Sequence, residues 1–193
     1  MRIGLIADTH VPYRAPRIPE SALAGLRGVD AILHAGDVDE PDALTPLTAI
    51  APTYAVRGNF HLLDRSAGGA TFPHDLSLVL ANRQIVVTHG HDLGVRSWIY
   101  KGWFLLRKLA GQHDFPKYDR AIATHLLRRF PAADVIVFGH THRFYMARWG
   151  ETLLVNPGAA LEKEYFNWPA APSVALLILE SGSVPRVEHI PLC

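Results

Sequence analysis

Ile3-Gly4-Leu5-Ile6-Ala7-Asp8-Thr9-His10 is an apolar run that stops at three polar residues. It reads as a buried strand, and its carboxyl end delivers a carboxylate, a hydroxyl and an imidazole. The same grammar recurs along the chain. Ala31–Ala35 ends in Gly36-Asp37, Thr53–Val56 in Arg57-Gly58-Asn59, Ile85–Thr88 in His89-Gly90-His91, and Val135–Phe138 in Gly139-His140-Thr141-His142. These strands are all expected to finish in one kind of chemistry.

Helical stretches lie between them. Glu20–Leu26 is one, and Pro41–Ile50, which opens with Pro and Asp as helices often do, is another. Strands that alternate with helices imply an α/β fold with ligands at the strand ends. Asp75–Leu80 and Arg83–Thr88 read as a hairpin across Ala81-Asn82. After His142, the segments Arg143–Arg148, Thr152–Val155, Val174–Leu179 and Val184–Ile190 read as an antiparallel meander. The expected architecture is two packed mixed β-sheets flanked by helices.

Composition narrows the function. The chain has 193 residues, 49% of them hydrophobic and 19% charged, which suits one folded domain spanning 1–193. A formal net charge of +1 provides no global field for nucleic acid or an anionic membrane. Cys193 is the one cysteine, so a disulfide framework is excluded and a reducing, cytoplasmic setting is expected. The opening Met-Arg-Ile-Gly-Leu-Ile-Ala-Asp meets a charge too early for a signal peptide. The eleven histidines are the anomaly, because they are spread along the chain rather than gathered in a tag.

Each polar cluster alone has an ordinary reading as a turn or a cap, since Gly and Asn tolerate positive φ and a lone histidine is usually structural. Together they do not. Asp8 and Asp37 at neighbouring strand ends would repel each other and resist desolvation unless a cation lay between them. Two ions about 3.5–4 Å apart would remove that cost, clamp a phosphoryl group and lower the pKa of a shared water to about 7, giving hydroxide at neutral pH. Mixed Asp, His and Asn donors suit Mn, Fe, Zn or Ni better than Ca or Mg.

The ordered set Asp-x-His, Gly-Asp, Gly-Asn, His-Gly-His and Gly-His-Thr-His resembles the calcineurin-like metallophosphoesterase superfamily from Asp8 to Gly158. Val56-Arg57-Gly58-Asn59, Phe138–His142 and Asn156-Pro157-Gly158 are similar to its small phosphodiesterases of bacteria and archaea. The resemblance implies a four-layer sandwich and a dinuclear phosphoesterase, a phosphodiesterase first of all. It further implies that Asp8, His10, Asp37 and His142 hold one ion, that Asp37 bridges, and that Asn59, His89 and His140 complete the second. His91 would face substrate or support a ligand, Arg57 would contact phosphate oxygens or else form an ion pair at the surface or core edge, and His34 would orient the site rather than bind an ion. The substrate would be a small-molecule or nucleotide phosphoester, with phosphomonoesters and nucleoside polyphosphates as alternatives. A reading from another class is a scaffold resembling the superfamily's retromer subunit, which serves mainly as a protein-binding surface.

Two departures matter. Many members carry a catalytic histidine after Gly-Asn, backed by a carboxylate three residues past the bridging aspartate. Here that position is Phe60, Glu40 stands at the carboxylate position without a partner there, and His61 comes one residue later, a catalytic candidate not expected to replace the missing histidine fully, so the proton donor is unassigned. Residues 93–116 form the second departure, an extra stretch in which Val95, Trp98, Ile99, Trp103, Leu106 and Leu109 recur at helical spacing. Core packing or a homodimer contact through this Trp-rich insertion is preferred to a substrate cap, and the segment has few charges for a membrane surface.

Overall fold

A computed structural model of the chain describes residues 1–59, 71–92, 115–161, 164–165 and 170–192. In chain order its strands are β1 (Arg2–Ile6), β2 (Ala31–His34), β3 (Thr53–Ala55), β4 (Asp75–Leu80), β5 (Arg83–Thr88), β6 (Val135–Val137), β7 (Phe144–Trp149), β8 (Thr152–Pro157), β9 (Ser173–Ile178) and β10 (Arg186–Pro191). The helices are α1 (Glu20–Gly25), α2 (Thr45–Thr48) and α3 (Phe115–Arg129), with a 3₁₀ turn at Pro41–Leu44.

Alternation along the strands builds the layers. Ile3 and Leu5 of β1 and Leu33 of β2 face one way, into a core shared with Ile85 and Val87 of β5, Val135 and Val137 of β6, and Leu153 and Val155 of β8. Ile6 and Ile32 face the other way, onto Ala22 and Leu26 at the first helix and Leu47 of the second. Val86, Ile136 and Leu154 turn outward beneath Ile122, Ala123 and Leu126 of α3. The order is therefore helix, sheet, sheet, helix. Each sheet has five strands, ordered β10-β9-β1-β2-β3 and β4-β5-β6-β8-β7.

Parallel pairing fixes where the polar turns go. β1, β2 and β3 run parallel in the first sheet, and β5, β6 and β8 run parallel in the second. Their carboxyl ends carry Asp8–His10, Asp37, Asn59, His89–His91, His140–His142 and Asn156–Gly158. The hairpin between β4 and β5 turns at Ala81 and Asn82, both at positive φ, as a two-residue primed turn requires.

Two readings of the sequence need correction. The last four strands do not form one meander, because β7 and β8 pair in the second sheet while β9 and β10 pair in the first. Apolar alternation sets which face of a strand is buried and leaves open which sheet it joins. Pro41–Ile50 is not one helix either. Pro46 offers no N–H and its ring crowds the carbonyl four residues back, which leaves a 3₁₀ turn followed by one short α-turn. Most of residues 93–116 lies outside the described residues, while Phe115 and Pro116 belong to α3. Among the described residues no helix is long and apolar enough to cross a membrane.

Candidate metal centre

The turns after β1 and β2 are zipped together by backbone hydrogen bonds. Asp8 N–H donates to the Gly36 carbonyl and His10 N–H to the Asp37 carbonyl, both at 3.0 Å. Behind them, the buried Thr9 hydroxyl lies 3.1 Å from His34 Nε2 and donates to the Asp37 carbonyl at 3.4 Å. His34 thus buttresses both turns, the orienting role expected of it. Asp8, His10, Asp37, His140 and His142 all have positive φ, between 49° and 74°. Such strain at non-glycine residues gathers where surrounding structure holds side chains for a task.

One group forms around Asp8, His10, Asp37 and His142, each offering a ligand atom within 4.8 Å of the others. His10 Nε2 lies 3.4 Å from Asp37 Oδ2 and 3.5 Å from His142 Nε2, and His142 Nε2 lies 3.6 Å from Asp8 Oδ1. A second group adjoins it. Asn59 Oδ1 lies 2.9 Å from both His89 Nε2 and His140 Nδ1. Asp37 stands between the groups, since its Oδ2 is also 3.6 Å from His89 Nε2 while its Oδ1 accepts the Asn59 backbone N–H at 3.0 Å.

Close packing leaves room for glycine alone at two turns. A Cβ at Gly58 would overlap Asp37 Oδ1, and one at Gly36 would stand 2.6 Å from His89 Nδ1.

The donor chemistry fits a cation. His89 Nδ1 is 2.9 Å from the Ala35 carbonyl, which only accepts, so the neutral ring carries its proton there. Its Nε2 lone pair then points at Asn59 Oδ1, an acceptor facing an acceptor. Burial holds His10 down to about 3 and His142 down to about 4, and pushes His140 well below the ordinary imidazole range. At neutral pH these rings present lone pairs and no compensating charge. Burial, and then the neighbouring Asp37, push Asp8 well above the usual carboxylate range, partly offset by the His140 N–H it accepts. A divalent ion satisfies the lone pairs and the carboxylates together.

The turn bearing His140 and His142 is supported by residues from two other elements. The buried Asn156 amide donates to the Gly139 carbonyl at 2.7 Å and to the Thr141 hydroxyl at 3.1 Å, while its oxygen accepts the Gly158 N–H. Thr141 in turn hydrogen-bonds Asp119 of α3, which Arg143 approaches to 3.6 Å. Tyr118, also on α3, places its hydroxyl 3.0 Å from His140 Nε2. Burial pushes that phenol up to about 12, so it keeps its proton at neutral pH.

His91 is buried beside the second group, its ring centroid 5.4 Å from that of His89, and burial lowers it to about 4. Exposed His74 stacks on it at 6.0 Å. Arg57 is half-buried after β3, its backbone N–H given to the Pro73 carbonyl. Glu40 accepts the Tyr13 hydroxyl at 2.7 Å. His61, like Phe60, lies outside the described residues.

Sequence reasoning missed Tyr118, Asp119, His74 and Arg14, the last of which holds down the pKa values of Asp8, His10 and His142. The Phe115-Pro116 start of α3 was the available signal for the first two, because Pro is favoured in a first helical turn. His74 and Arg14 stand in loops without a pattern.

Residues 1–182 match the model of the calcineurin-like phosphoesterase superfamily domain. A probable metallophosphoesterase of Methanothermobacter thermautotrophicus is 33% identical over 159 residues, covering 82% of this chain and 77% of its own. One of Methanocaldococcus jannaschii is 30% identical, covering 82% and 68%. The crystal structure of wild-type Vps29 complexed with zinc, from Entamoeba histolytica, has the same fold, with a TM-score of 0.65 and 22% identity over 99% of each chain.

Proposed function

The chain belongs to the calcineurin-like phosphoesterase superfamily, and from that footing we propose that it is a phosphodiesterase working with two divalent ions, manganese first. The observation that carries this reading is the position of Asp37, whose Oδ2 faces His10 Nε2 at 3.4 Å and His89 Nε2 at 3.6 Å. One carboxylate oxygen shared between two imidazoles suits a bridging ligand. Asp8, His10, Asp37 and His142 would hold one ion, and Asn59, His89, His140 and Asp37 the other. When bound, such a pair lowers the pKa of a shared water to about 7 and neutralises phosphoryl oxygens.

The chain's own residues supply the rest. Arg14, whose charge is felt by Asp8, His10 and His142, and Arg57 would meet the non-bridging oxygens of a phosphoester. His91, which burial lowers to about 4, would orient a bound group rather than donate a proton at pH 7. His10, His140 and His142 are neutral for the same reason. Leaving groups that depart without strong protonation should therefore react fastest. The proton donor for poorer ones stays unassigned, and His61 is not expected to replace fully the histidine missing at position 60. A homodimer through Trp98 and Trp103 and a cytoplasmic setting complete the proposal.

A screen of chelator-treated protein, reloaded with Mn, Fe, Zn or Ni, tests it over phosphomonoesters, phosphodiesters, cyclic nucleotides and dinucleoside polyphosphates. Metal-dependent turnover greatest on nitrophenyl phosphodiesters is expected. Faster turnover of monoesters would reject the diesterase assignment, and tight metal binding without turnover of any ester would favour the scaffold reading.

A further inference from the structure

We propose that Tyr118 is a positioning residue that lets His140 change tautomer as the second ion enters, and so sets the affinity of that ion. The inference rests on the two-ion reading above and deepens it. His89 and His140 are held from behind in different ways. The ring of His89 is locked, because Nδ1 faces the Ala35 carbonyl at 2.9 Å and a carbonyl can only accept. His140 is turned around, with Nδ1 toward Asn59 Oδ1 at 2.9 Å and Nε2 toward the Tyr118 hydroxyl at 3.0 Å.

Without an ion, Asn59 Oδ1 calls for a proton on His140 Nδ1, and Nε2 accepts from the phenol. With an ion on that side, Nδ1 must offer its lone pair and the neutral ring carries its proton on Nε2. The Nδ1 proton passes to solvent water and Nε2 takes one from solvent water, so no proton is gained or lost overall. The ring stays neutral, and the phenol keeps its own proton while changing from donor to acceptor. A hydroxyl serves both states without moving, and α3 holds it in place through the adjacent Asp119, which meets Thr141 and Arg143 on the same turn as His140. Outer partners of ligating histidines fix ring orientation and basicity in this way.

The test is calorimetric titration of the chelator-stripped full chain with Mn²⁺, beside its Tyr118→Phe variant. Two binding steps are expected for the wild type. In the variant the tighter step should be unchanged and the weaker one reduced by about 10–100-fold, while the melting temperature of the metal-free protein stays the same. Two wild-type steps in the variant, or equal weakening of both, would overturn the proposal. A wild-type chain that takes fewer than two ions would instead overturn the two-ion reading beneath it. Ring ¹⁵N spectra of the Zn²⁺-loaded wild type give a check that needs no variant: a proton on His140 Nε2 is expected, and one on Nδ1 refutes the assignment.

Discussion

Asp37 has no oxygen to spare: Oδ1 accepts a backbone N–H while Oδ2 faces two imidazoles. Asp37→Asn keeps the volume and loses the charge. It should lower kcat by about 10²–10³-fold, the scale seen when a preorganised electrostatic group is lost, and release metal while circular dichroism stays native. Two ions retained with undiminished turnover would remove Asp37 from the centre. The buried imidazoles also predict a pH dependence. His34 titrates near 6.5 when unfolded and is lowered to about 3 by burial, so between those values the unfolded chain binds a proton that the native one does not. Stability is complete above about pH 6.5 and falls by about 1.4 kcal/mol per unit on acidification. His10, His91 and His142 add to this in the metal-free protein. Asp8, with its raised pKa, opposes them, since its contribution is present in acid and lost as pH rises. Urea midpoints of metal-free protein should drop from pH 7 to pH 5, and a flat profile would contradict the burial of these rings. The residues that the fold gathers at this centre were legible in the sequence because each sits where an apolar run ends. Tyr118 was not, because a tyrosine on a helix carries no sign of what it faces.

At the scale of elements, the turn after β6 is held by β8 through Asn156 and by α3 through Asp119. Asn156→Ala removes the donors to the Gly139 carbonyl and Thr141 and the acceptor for Gly158 N–H, all buried. A cost of about 2–4 kcal/mol is expected, with metal affinity falling alongside, because the turn that presents His140 and His142 loses its support. Denaturant unfolding with a parallel metal titration checks both, and a stability loss with unaltered metal binding would confine Asn156 to the fold. Sequence patterns located the strands to within a residue or so and found the β4–β5 turn. They could not assign β9 and β10 to the first sheet, because hydrophobic alternation is the same whichever partner a strand takes.

Across the whole molecule, the centre draws its side chains from both sheets, so removal of ions should be felt globally. Each ion at about one hundred times its dissociation constant stabilises by roughly 2.7 kcal/mol, and a chain of this size gains about 2–4 °C per kcal/mol. Chelation should therefore lower the melting temperature by about 5–10 °C for each ion removed, and Mn²⁺ should restore it. A melting curve indifferent to chelator would mean that the groups do not hold ions together in the native state.

His10 and His142 meet across 132 positions of sequence and across the seam between the sheets. With Cys193 as its one cysteine, the chain has no sulfur bridge to close so long a span. A shared ion would act as a removable staple, doing for this protein what a covalent crosslink does for a secreted one. Unlike a disulfide, such a staple answers to metal supply: when the ion is scarce, the strand ends at the seam should exchange their amide hydrogens first, and the same scarcity that silences the site would mark the chain for unfolding.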